Sequence, residues 1–253
     1  MIGSLLSAIA FLTRLPVPRS VHTSEANLRR SGRWFPAVGF IIGLICSAVA
    51  WLGSQRLPAF MVAVLVLIFE AFLTGALHLD GLADMADGFG GGRNREDVLR
   101  IMRDHAIGSY GGTALVLLLL FKTACLSELV GNQRGLLTIV VAPVLSRWSI
   151  VLLSRALPYA RRGGERDALG TGALCECISR FDLIFATACC AILPVFFGVV
   201  RTIACWVVVV LVSLCIARIC SRRIQGITGD TLGASVVVCE AVQYAIALLV
   251  NPR

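Results

Sequence analysis

Charge is what this sequence lacks. Only 15% of its 253 residues are charged and 57% are hydrophobic, whereas soluble domains carry about 25% charged residues. With a mean hydropathy of +0.85, an ordinary water-soluble globule is excluded and a bilayer is the expected setting. Lysine is nearly missing too: Lys122 stands alone among 23 basic residues. The +8 net charge would suit a nucleic-acid binder. The arginines, however, fall between apolar runs, where they orient a membrane protein or meet phosphorylated substrates; no nucleic-acid partner is expected. A second metal-ligating cysteine pair is absent. Of ten cysteines, eight lie inside apolar runs as small hydrophobes, and the lone Cys175-x-Cys177 does not make a zinc site. All ten are read as reduced. A cleavable leader is not evident either, because the first basic residue, Arg14, follows the first apolar stretch instead of preceding it. Ile2, Leu5, Leu6 and Ile9 recur at helical spacing, so residues 2–13 form a helix that either lies on the membrane surface or packs on the bundle.

Long hydrophobic runs are plentiful. Seven segments approach the roughly 20 apolar residues needed to cross: 34–53, 58–79, 107–127, 135–157, 183–200, 202–220 and 231–250. The fifth and sixth are the least distinct, since only Arg201 separates them. The expected fold is therefore an all-α, polytopic integral membrane protein with about seven transmembrane helices, a short cytoplasmic helix after the second, and a single catalytic domain over 1–253. Seven spans place seventeen arginines on one side and four on the other. By the positive-inside rule the richer side is cytoplasmic, and the expected location is the cytoplasmic (inner) membrane. Glu70, Arg147 and Glu240 lie about ten residues into their spans, or ~15 Å deep at 1.5 Å per residue. Equal depth favours an ion pair of Arg147 with Glu70 or Glu240, because an unpaired charge there is costly.

The chemistry concentrates where the second span emerges. Asp80, Asp84 and Asp87 are spaced i, i+4, i+7, which on a helix gathers them within a ~60° arc. Three like charges on one stripe repel unless a cation neutralises them, and Mg²⁺ completed by phosphate is the natural occupant. Gly88, Gly90, Gly91 and Gly92 follow, a run whose backbone N–H groups could close on an anion. Asn94 then caps a short helix with Asp97 at its third position. This helix, expected to reach about His105, returns Arg103 and Asp104 towards the stripe. Asp80, Asp84, Asp87 and Asp104 are the expected metal ligands, and Arg93 and Arg103 the expected phosphate contacts. His78 falls on the opposite face and is expected to pack.

A second polar stretch, RRIQGITGDTLGA at 222–234, opens the last span. Asp230 or Thr231 can cap that helix, and its N-terminus, with Thr228, Gly229 and Asp230, suits a phosphate-bearing substrate. Arg155, Arg161 and Arg162 flank LPYA after the fourth span, as topology anchors or phosphate ligands.

With these residues in view, the chain resembles the cobalamin-5'-phosphate synthase family. The matching stretches are FLTRLPVP at 11–18, GRWFPAVG at 32–39, HLDGLADMADGFGGG at 78–92, IMRDHAIGSYG at 101–111 and TGDTLGA at 228–234, in order and spread over nearly the whole chain. His105 is one local departure. The resemblance implies an integral membrane, Mg²⁺-dependent transferase of late cobalamin assembly. It would join GDP-activated adenosylcobinamide (adenosylcobinamide-GDP) to α-ribazole or its 5'-phosphate and release GMP. In the expected reaction Asp84, Asp87 and Asp104 are catalytic, with Asp87 taking the hydroxyl proton, and Arg161, Thr228, Gly229 and Asp230 help to hold substrate. A homo-oligomer is compatible with all of this. Asp84-x-x-Asp87-Gly88 also echoes the opening of the CDP-alcohol phosphotransferase motif, so that class, or a prenyltransferase, is the alternative enzyme. A transporter of a small phosphorylated or corrinoid molecule is the alternative of another kind.

Overall fold

The computed structural model describes residues 1–18, 25–161 and 177–250, and among these there is no β-strand. Twelve α-helices are seen there: α1 (Ile2–Leu12), α2 (Glu25–Arg29), α3 (Phe35–Ser54), α4 (Ala59–Thr74), α5 (Leu77–Gly91), α6 (Arg95–Ile101), α7 (Ser109–Leu129), α8 (Gln133–Ala156), α9 (Arg180–Cys190), α10 (Leu193–Phe197), α11 (Val199–Arg223) and α12 (Gly229–Val250). Arg19, Arg162, Arg166 and Cys175 lie outside the described residues; the other nine cysteines are free thiols.

Helix α8 is the axis of the bundle, with almost every side chain from Thr138 to Ser154 buried. It packs against α3 through glycine. A Cβ at Gly39 would collide with the Pro143 carbonyl and Val144 Cα, and one at Gly43 with the Val140 backbone. Two small residues four apart let the backbones touch, which is how helices associate where lipid removes the ordinary hydrophobic drive. The outward faces of α3, α4, α7 and α11 carry exposed Phe40, Trp51, Phe72, Leu120 and Leu211, as a lipid-facing surface should. This is a multi-pass membrane protein.

Five helices are long and apolar enough to cross: residues 32–54 with α3, then α7, α8, α11 and α12. The count rises to six if α4 and α5 are taken as one broken span. The expected second span, 58–79, does not continue straight. Gly75 and Ala76 both take left-handed backbone angles (φ 63° and 58°), and α5 leaves α4 at 91°. The expected fifth span, 183–200, is not one helix either. The chain breaks after Cys190, runs through α10, and turns again at Gly198 (φ 82°) before α11. That segment still passes from one end of the bundle to the other. Asp182 at its start pairs with Arg33 at 2.7 Å at the head of α3, and α11 returns to the same end at Arg223.

The N-terminal helix packs rather than lying free. Ala8 and Leu12 are buried, Phe11 stacks on Phe35 at 5.9 Å, Trp34 donates to Ser4 at 3.2 Å, and the Arg14 N–H donates to Leu73 O at 2.7 Å.

Candidate active site

Helix α5 carries the three aspartates on one side, as the spacing predicts, but their environments differ. Asp80 is exposed, Asp84 is half-buried and Asp87 is 8% exposed. Asp87 is already committed. Its Oδ2 accepts the Gly108 N–H at 2.7 Å and its Oδ1 the Gly111 N–H at 2.8 Å. It therefore caps α7 from another helix, filling a place that Gly108, at the N-cap, cannot fill itself. Gly108 and Gly111 must be small, since a Cβ at either would strike the Asp87 carboxylate. With both oxygens held by backbone N–H groups, Asp87 is poorly placed to receive a substrate proton.

The glycine run is not an anion-binding loop. Gly88, Gly90 and Gly91 lie within α5, and Gly92 ends it. Their missing side chains are used for packing: Met102 sits against Gly88, the Tyr110 ring against Gly90 and Val98 against Gly92. Asn94 caps α6 as expected, accepting the Asp97 N–H at 2.8 Å. The helix ends at Ile101, short of His105. Arg103 and Asp104 then lie exposed in the following turn, where Asp104 Oδ1 accepts the Ala106 N–H at 3.1 Å. Arg93 is exposed immediately after α5.

Three connections meet beside α5. Tyr159 and Ile227 form a parallel bridge, with Ala160 N–H on Ile227 O (2.8 Å) and Ile227 N–H on Pro158 O (2.9 Å). Arg95 ties the turn after α5 to both, donating to Ile224 O at 3.0 Å and Ala160 O at 2.6 Å. Arg223 donates to Phe89 O and Gly92 O, each at 2.8 Å, and lies over the Phe89 ring. These two arginines tie loops together, a role that sequence reasoning did not assign. Their spacing carries no sign of it, because their acceptors are backbone carbonyls far along the chain.

Arg161 and Asp230, both expected on the site, are joined: Arg161 Nη2 donates to Asp230 Oδ2 at 2.7 Å and to Met102 O at 3.2 Å. The α12 N-terminus is capped by Thr228, not by Asp230. Thr228 Oγ1 accepts the Thr231 N–H at 3.3 Å and Thr231 Oγ1 accepts the Thr228 N–H at 2.9 Å. Asp230 is thereby left to face the site. The α5 and α12 backbones touch here; a Cβ at Gly81 would stand 2.7 Å from the Asp230 carbonyl oxygen. That approach crowds Asp84 with the Asp230, Asp80 and Asp87 charges. Burial first, and then these like charges, push its carboxyl up to about 7, against the opposing pull of Arg161.

Among the described residues no three His, Cys, Asp or Glu side chains stand close enough to cage a metal by themselves. Mg²⁺ does not require such a cage, since it is usually held by one or two carboxylates together with substrate phosphates and water. Asp80, Asp84 and Asp230 supply hard oxygen donors beside the Arg161 guanidinium, so the donor set fits.

Deeper in the bundle lies a second cluster. Lys122 Nζ on α7 donates to Glu70 Oε2 on α4 and Glu240 Oε2 on α12, each at 2.8 Å. Arg147 on α8 pairs with Glu240, and Ser146 donates to the same carboxylate at 3.3 Å. Of the two partners expected for Arg147, Glu70 or Glu240, it is Glu240 that pairs with it. Lys122 as the shared cation was missed, although its solitary place in an apolar run was the available signal. These charges pair with one another across four helices instead of lining a path.

A family model described as cobalamin-5-phosphate synthase matches residues 4–248. Proteins named adenosylcobinamide-GDP ribazoletransferase are similar to the chain. The one from Ralstonia pickettii is 39% identical, covering 94% of this chain and 91% of its own length. That from Prosthecochloris aestuarii is 37% identical and covers 98% of each. That from Vibrio parahaemolyticus is 36% identical, over 94% and 89%. No solved structure matches.

Proposed function

The chain belongs to the cobalamin-5-phosphate synthase family, and we propose that it carries out the transfer for which its relatives are named. The adenosylcobinamide phosphate group of adenosylcobinamide-GDP passes to α-ribazole or its 5'-phosphate, and GMP leaves. The carrying observation is the crowding of Asp84 by Asp80 and Asp230, opposite Arg161, where the three connections converge.

Asp80 and Asp84, with Asp230 across from them, would hold Mg²⁺ together with the substrate's diphosphate. When bound, the ion neutralises the diphosphate and the departing guanylate. Arg161, fixed by Asp230 and the Met102 carbonyl, presents its remaining N–H groups to phosphate oxygens. Arg93 and Arg103, exposed on the same rim, attract the anionic substrate. A ribose hydroxyl oxygen of the ribazole, other than the 5' oxygen that bears phosphate in the alternative acceptor, attacks the phosphorus joined to the corrinoid arm. The bond from that phosphorus to the guanylate oxygen breaks, and the hydroxyl proton leaves to a carboxylate of the cluster. Asp87 serves by pinning the start of α7 beside α5. Asp104, away at the α6 turn, has room to contact a second ion or the substrate. The arginine asymmetry supports a cytoplasmic position for this end of the bundle, at the inner membrane.

The test is product analysis. Purified protein in detergent, given adenosylcobinamide-GDP, α-ribazole and Mg²⁺, should release GMP and form the joined corrinoid, and should do neither after chelation. Turnover of a CDP-alcohol with CMP release, or release of inorganic pyrophosphate from a prenyl donor, would overturn the assignment.

A further inference from the structure

His78 precedes the aspartate stripe by two residues but points the other way, into the bundle. It is 4% exposed, and its Nε2 has no hydrogen-bond partner among the described residues. A buried ring nitrogen left unpaired is costly, so its surroundings matter. It lines a cavity of about 20 Å³ walled by Leu67, Glu70 and Thr74 of α4, Leu119 and Lys122 of α7, and Val237 of α12. A water needs roughly 10–15 Å³ and two to four polar partners. Among the residues lining this cavity, His78, Glu70, Lys122 and Thr74 carry polar side-chain groups. Thr74 donates its own proton to Glu70 O at 2.8 Å and so presents an acceptor.

We propose that one buried water occupies this cavity and joins His78 Nε2 to the Glu70–Lys122 pair, making His78 the positioning residue that fixes α5 against the buried charge cluster. The fold gives the link a purpose. At its head α5 joins the bundle through two left-handed residues, Gly75 and Ala76, after a 91° turn. The helical ladder does not run straight through such a junction, so the contacts of the first turn set where α5 points, and His78 lies in that turn. The four charged residues beneath come from α4, α7, α8 and α12. Those helices lead into α5, begin at the Asp87 cap, end before Arg161 and start beside Asp230. A hydrogen-bonded link from His78 into that cluster ties the stripe to all of them.

The anchoring matters to catalysis only if α5 carries the active site as proposed above, so the test reads α5 itself and not turnover. Hydrogen–deuterium exchange is followed in peptides covering 77–92 of the full chain in detergent micelles. His78→Leu keeps the bulk and loses the nitrogen; His78→Gln returns an amide nitrogen to a similar reach. Ala71→Val leaves His78 intact but fills the cavity, which Ala71 also lines. Exchange in 77–92 should rise about tenfold in His78→Leu and in Ala71→Val, as for one lost buried hydrogen bond. In His78→Gln it should stay within about twofold of the parent. Unchanged exchange in His78→Leu overturns the link. Equal loosening in His78→Leu and His78→Gln reduces His78 to packing and also overturns it. Should His78→Leu fail to fold, Ala71→Val decides alone: parent-like exchange there removes the water.

Discussion

Two clusters of charge, one above the other, follow opposite rules. In the deep cluster, Glu70 and Glu240 face Lys122 and Arg147, two anions against two cations, all buried. At the rim, Asp80, Asp84 and Asp230 crowd one another, and Arg161 pairs with Asp230. The deep cluster pairs its acids with its bases and joins four helices. The rim crowds like charges together, with one carboxyl displaced to about 7. Protein groups balance charge where nothing is to bind and leave it unbalanced where a cation and a phosphate are to enter.

Mutations should separate the two. The largest effect expected is on turnover. Asp84→Asn should lower kcat by about two to three orders of magnitude, the scale of losing one charge-stabilising group, while the melting temperature in detergent stays near that of the parent. A parallel fall in stability would blur the distinction between the clusters. Next comes the core. Lys122→Met strands the buried Glu70 carboxylate, leaves Glu240 to Arg147, and should cost about 3–5 kcal/mol, read by denaturation in mixed micelles. Adding Glu70→Gln should recover part of that loss, because the two sites are coupled. Asp87→Asn tests a residue between these extremes. Its amide offers one acceptor where the backbone of α7 needs two, so a loss of about 1–2 kcal/mol is expected. It should be accompanied by faster amide exchange at Gly108 and Gly111.

Much of the fold was legible because membrane spans announce themselves by length and apolarity. The packing of α3 on α8 was less so: Gly39 and Gly43 stand in plain view, but their partner backbone does not. The stripe of aspartates was legible from its 3.6-residue period. Its division of labour was not, because Asp87 is defined by two N–H groups more than twenty residues away. The glycines misled for a related reason. Flexibility and close packing demand the same residue, and only Met102, Val98 and Tyr110 tell which is in use. The turn at Gly75 and Ala76 was hidden as well, since alanine gives no warning of a left-handed backbone.

The smallest predicted effect is a pH dependence. Asp84 is displaced upward from the usual aspartate value of 3.8 to about 7. The folded state therefore binds more protons than the unfolded state between those limits, and metal-free stability should fall as pH rises from about 4 to about 7. Asp84→Asn should remove that part of the slope, and saturating Mg²⁺ should flatten it in the parent. Melting curves at a series of pH values, with and without the ion, would show both.

Direct titration of the rim with Mn²⁺, followed by electron paramagnetic resonance, addresses the central claim without relying on turnover. Carboxylates of the rim and the substrate's diphosphate should bind the ion together. Affinity should therefore rise when adenosylcobinamide-GDP is added and fall at least about tenfold in Asp84→Asn, the effect of removing a metal ligand or its support. Mn²⁺ binding that is indifferent to both the substrate and the substitution would contradict the account.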